Sequence, residues 1–180
     1  MRLCGIYGTD LEGLVYGHTR VLRALGRVKT AAYVLWALLV GLTLLSSALL
    51  WFANRFFPLS PGPGTQAELS VLKAHTGLTT AWERVDQAIL TMAFLGFAAL
   101  LVLILAGGCR IPLQQKLLYL AVLGAGLVLA ALPFALADPV FTVVDHLITP
   151  VHVVVRMLLF FAVLLAAEKV RDRKADTEQT

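Results

Sequence analysis

The chain has 180 residues, of which 59% are hydrophobic and 14% charged, and its mean hydropathy is +0.82. A water-soluble domain is roughly half apolar and a quarter charged, so a single water-facing globule is excluded; it would expose large apolar patches. The net charge of +4 does not point to nucleic acid, because the basic residues flank apolar runs, where such residues set orientation in a membrane.

Residues 1–30 form a polar lead without a charged n-region followed by an apolar core, so no cleavable signal peptide is expected. Leu11, Leu14, Val15, Leu22 and Leu25 recur at helical spacing, and Arg20, Arg23 and Arg27 fall on another stripe. This pattern predicts a short amphipathic helix. It either lies on the membrane and meets lipid headgroups through Arg20, Arg23 and Arg27, or is solvated and merely feeds the first span. Gly13, Gly17 and Gly26 weaken it.

Span one is Ala31 to Ala53, 23 residues without a charge, enough to cross a hydrocarbon core of about 30 Å. Trp51, Phe52, Phe56 and Phe57 give it an aromatic end. Thr43, Ser46 and Ser47 are expected to bond to their own helix backbone. The long loop 54–87 opens with Pro58, Pro61 and Pro63, which rule out a continuous helix there. Thr65 and Glu68 have capping-box spacing, and Gly77 can close a helix over about 66–76. Thr80 and Glu83 repeat the signal and predict the start of the next helix.

Span two is 88–107, with Ala93, Gly96 and Ala99 as a small-residue packing face. The short linker 108–116 makes spans two and three antiparallel neighbours. Span three is 117–137, with Gly124 and Gly126 for close contact and Pro133 near its end. Asp138 and Pro139 read as an N-cap and first helical position, Thr149-Pro150 as a bend or break, and 147–167 as span four. The charged tail 168–180 is expected to be disordered.

Orientation follows from the Lys and Arg count. The lead, the 108–116 linker and the tail hold eleven, the long loop holds three, and the remaining one is Arg156. By the positive-inside rule, both termini are expected in the cytoplasm. The expected fold is therefore all-α: a single four-helix transmembrane bundle over 1–180, with one short helix before span one and another in the long outer loop. Plasma membrane and endomembranes are not distinguished. Arg171-Asp172-Arg173 has the form of an ER-retention triplet, a form frequent by chance.

Chemistry, if present, concentrates in the last span. Asp145, Thr149, His152 and Arg156 are spaced i, i+4, i+7 and i+11, which places them on one helix face. Ionisable groups are expensive in hydrocarbon, so this face is a candidate intramembrane site, able to relay protons or hold an anionic headgroup. The structural alternative is that Asp145 and His146 stay wet at the interface, that Arg156 snorkels, and that His152 and Arg156 bond to serines of span one. No GxSxG, HExxH or Walker loop is present, and no catalytic residue is assigned. The two cysteines, Cys4 and Cys109, form no CxxC or Cys/His cluster, so no metal or other cofactor is expected. Cys109 lies beside a span and is a palmitoylation candidate or a plain reduced thiol.

The strings CGIYG at 4–8, GLTL at 41–44, CRIPLQQK at 109–116, TPVH at 149–152 and the basic end at 169–174 come in an order that resembles the amino-terminal spans of multi-pass glycerophosphodiester phosphodiesterases. The tryptophan-rich outer segments of that family and its phosphodiesterase domain are not in these residues, so none of its metal or catalytic residues carries over. The resemblance implies a catalytically empty relative of a membrane anchor. Three functions follow as expectations: a non-enzymatic membrane protein acting by helix packing and by contacts of its basic ends with the lipid bilayer, a protein partner or a second copy; a small transport or channel subunit using the Asp145–Arg156 face; and a lipid-modifying enzyme.

Overall fold

The structure, a computed structural model, describes residues 11–59, 65–107 and 111–177, with side chains over 23–59, 65–107, 111–171 and at 173. The described residues form four α-helices and no strand: α1 Leu11–Phe56, α2 Gln66–Ala106, α3 Leu113–Ala137 and α4 Val143–Thr177. All four are long and apolar enough to cross a membrane. The described residues are thus all-helical, a bundle of four spanning-length helices.

Packed pairs are α1 with α2, α2 with α4, α4 with α3, and α3 with α1. The helices thus stand at the corners of a square in which α1 faces α4 diagonally. One end of the square holds Lys29, Lys116 and Glu168 and is called the basic end. The other holds Asn54, Asp138 and His146 and is called the loop end. The first described residue of α1 and the last of α4 lie toward the basic end.

The expected extra helices are not separate. The lead helix is the first part of α1, which continues through Gly26. The expected loop helix is the first part of α2, which continues through Gly77 and past Thr80 and Glu83. A glycine in a helix costs about 1 kcal/mol, less than breaking the hydrogen-bond ladder twice, and nothing crowds either glycine. The Thr65–Glu68 capping box does form, with Thr65 N–H donating to Glu68 Oε2 at 2.8 Å and Glu68 N–H reaching Thr65 Oγ1 at 3.5 Å. His75 then ties α2 back to α1 through Nδ1, 3.0 Å from the Phe57 carbonyl oxygen.

Two expectations at the α3–α4 junction are corrected. Asp138 starts no helix; its carboxylate accepts from the N–H groups of Val140 and Phe141 at 2.9 and 3.1 Å, closing a turn. α4 begins at Val143, where Asp145 Oδ2 accepts from Thr142 N and Thr142 Oγ1 at 2.8 and 2.7 Å. Pro150 does not break α4; it lies inside the helix, fully buried. Its ring removes one ladder bond, a loss that tertiary packing tolerates. α4 also stays helical through Thr177, into the tail expected to be disordered.

The core is a layer drawn from every helix: Leu39 from α1, Ile89 and Ala93 from α2, Leu127 from α3 and Val153 from α4, each fully buried. Small residues let the helices close. A Cβ on Gly126 would stand 3.0 Å from Trp36 Nε1 and 3.2 Å from Val40 Cγ2, so α1 and α3 meet there. Gly96 is packed under Leu35 in the same way. Ala93 is buried beside it, whereas Ala99 is exposed, so the small-residue face of α2 is used only in part.

Candidate functional site

Polar side chains are buried mainly at the loop end. Ser46, Ser47, Asn54, His146 and Thr149 are all buried there. They come from regular helical stripes. On α1, Leu39, Thr43, Ser46, Leu50 and Asn54 recur every three or four residues on the inward face. On α2, Asp86 precedes Ile89, Ala93 and Phe97 on theirs.

Asp86 joins three helices. Its Oδ1 accepts from Ser46 Oγ of α1 and its Oδ2 from Thr149 Oγ1 of α4. A carboxylate inside an apolar bundle needs such donors, and bonds to a charged acceptor are roughly twice as strong as neutral ones. Ser46 therefore departs from the expected bond to its own helix. Thr43 makes that bond, 2.8 Å to the Leu39 carbonyl.

About 12 Å nearer the end of α1, by eight residues of helical rise, lies a second cluster. Asn54 Nδ2 donates to Asp138 Oδ2 at 2.9 Å. His146 Nε2 stands 3.0 Å from the same oxygen, and both the His146 and Asp138 side chains are enclosed. His146 Nδ1 is buried without a partner, so the ring must present Nε2–H to the carboxylate. Burial pushes the Asp138 carboxyl up, but the N–H groups of Val140 and Phe141, the Asn54 amide and His146 outweigh it and hold it below the usual aspartate range. Trp51 Nε1 adds a bond of 3.2 Å to the Ala137 carbonyl oxygen. The α3–α4 turn is thereby fastened to α1.

The residues singled out on α4 do not form one site. Asp145 caps its own helix. Thr149 belongs to the Asp86 cluster. His152 is exposed. Arg156 Nη1 donates to the Leu90 carbonyl oxygen of α2 at 2.6 Å, in a groove shared with Thr91, Phe94 and Phe160. Neither His152 nor Arg156 meets the serines of α1. By helical rise, Arg156 lies about 15 Å from His146 and about 18 Å from Glu168, in the middle of the crossing.

At the basic end, buried Lys116 meets Glu168 at 2.5 Å, joining α3 to α4. Arg23 and Arg27 are exposed on α1. The side chain of Arg20, and Cys4 and Cys109, lie outside the described residues. Among the described residues, no three His, Cys, Asp or Glu side chains gather as a metal site would require.

Sequence reasoning placed Asp86 in the outer loop and missed its role. Its helical register with Ile89, Ala93 and Phe97 was the available signal: an acid on the inward stripe. Compared with known protein families, curated proteins and solved structures, the chain matches none.

Proposed function

We propose that this is a non-enzymatic integral membrane protein that acts as a rigid four-span scaffold. Its basic end lies in the cytoplasm, where it contacts anionic lipid and a protein partner or second copy. The observation that carries this reading is the closed apolar layer of Leu39, Ile89, Leu127 and Val153 across the middle of the bundle. It separates the polar clusters of the loop end from the basic end, and a solute path needs polar groups on several spans at the midplane. Ser46 and Thr149 also bond to Asp86, and Asn54 and His146 to Asp138, as interhelical fastenings do. The orientation rests on eleven Lys and Arg against three.

Ion and proton flux into proteoliposomes tests this reading. The expected result is flux equal to that of protein-free vesicles. A second reading, a transport subunit, is favoured by one observation: Asp86 and Arg156 are ionisable groups inside the crossing. Flux above the protein-free level that disappears in both Asp86→Asn and Arg156→Ala would replace the scaffold by the transporter.

A further inference from the structure

The square of helices is closed near Gly126 but encloses a cavity toward the basic end. The cavity measures about 260 Å³ and is walled by all four helices, among them Val28, Leu100, Ile104, Leu123, Phe160 and Leu164. Its lining is almost wholly apolar, and it is larger than the roughly 150 Å³ apolar cavity that stays dry and takes up benzene. An apolar void leaves its walls without dispersion partners, so a hydrocarbon occupant is favoured over water.

The mouth faces sideways, between α1 and α3. The exposed lining residues belong to these two helices: Lys29, Tyr33 and Trp36 on α1, Gln115 and Val122 on α3. The Tyr33 and Tyr119 rings meet edge to face across it, with centroids 6.3 Å apart. The Gly126–Trp36 contact closes the slot toward the membrane middle. The Lys29, Gln115 and Lys116 side chains of the lining lie at the other end. There Lys116 is already neutralised by Glu168, whereas Lys29 is exposed and holds no ion pair among the described residues. A lateral slot with an apolar interior and one unneutralised cation at its rim matches one kind of amphiphile.

We propose that the cavity binds one acyl chain of an anionic glycerophospholipid. The phosphate sits on Lys29 with Gln115 as a further donor, and the second chain remains in the bilayer. This site deepens the lipid-contact reading above and rests on it.

The test uses the full chain with Trp51→Phe and Trp82→Phe, which leaves Trp36 as the sole tryptophan. It is reconstituted in phosphatidylcholine vesicles containing a minor fraction of acyl-brominated phosphatidylglycerol or of acyl-brominated phosphatidylcholine. Bromine quenches tryptophan on contact. The expected result is quenching by the brominated phosphatidylglycerol several-fold above that by the same fraction of brominated phosphatidylcholine. Lys29→Glu, an exposed change that leaves the core intact, should remove the excess. Ala32→Phe, which fills the cavity, should lower it as well. Equal quenching by the two lipids, or an excess that survives Lys29→Glu, would overturn the proposal. Either outcome leaves the flux result untouched, so failure of the site and failure of the scaffold reading are told apart.

Discussion

Arg156 donates to the backbone carbonyl of Leu90 at 2.6 Å, across the α2–α4 contact and near the middle of the bundle. That carbonyl belongs to the interior of α2, so the guanidinium shares an acceptor instead of meeting a counter-charge. The arrangement uses one donor of five. An unpaired charge in an apolar surrounding is costly, and an apolar side chain of similar volume removes that cost. Arg156→Met is therefore expected to leave the thermal midpoint of the purified protein unchanged or to raise it. A fall of many degrees would show that the guanidinium fastens α4 to α2.

Asp86 stands in the opposite position, because two helices depend on it. Asp86→Ala should destabilise the bundle by about 1–3 kcal/mol, judged from hydrogen bonds to charged acceptors and from polar contacts in membrane proteins. Ser46→Ala and Thr149→Val should each cost less, since the other hydroxyl still holds the carboxylate. Unfolding titrations of the single and double variants would reveal the coupling. Strict additivity of Ser46→Ala and Thr149→Val would contradict a shared acceptor.

Acid should loosen the loop end. The folded Asp138 carboxyl is held below its ordinary value of 3.8, so its stabilising contribution is complete above that value and is lost as the pH falls through the folded value. The thermal midpoint of the wild type should drop in this acid window. In Asp138→Asn, the midpoint should already be lower at neutral pH and should fall less steeply on acidification. Identical slopes would remove Asp138 from the acid response.

Asp145 is expected to matter for the helix start alone. Asp145→Ala removes the acceptor for Thr142 N and Oγ1 and should cost about 0.5–2 kcal/mol, the usual range for a lost cap. Amide exchange should quicken over the first turn of α4 and remain unchanged around Arg156. Faster exchange at Arg156 would join the two residues in one unit.

The apolar runs made all four spans legible, because each run is long enough to demand lipid or a core on every side. The Thr65–Glu68 cap was legible for the same local reason. The extent of α1 and α2 was not. Gly26 and Gly77 are weak breakers, and their effect is settled by how many ladder bonds continue past them. The polar clusters were the least legible part. Ser46 and Asp86 are 40 residues apart, and Asp86 and Thr149 are 63, so no local spacing connects them. On α4, Thr149 and Arg156 of the i, i+4, i+7, i+11 series turn toward α2. His152 of the same series has an exposed side chain.

The unbroken course of α2 has a mechanical meaning. Its 41 residues make a rod of about 62 Å, whereas the 25 residues of α3 make one of about 38 Å. The excess of α2 stands beyond the loop end, with no hinge between its tip and Ile104. Ile89 and Ala93 hold the rod inside the bundle, and His75 holds its outer arm to the Phe57 carbonyl oxygen. The rod is thus pinned at two places along its length, and residues 66–76 stand out from the loop end as a fixed post.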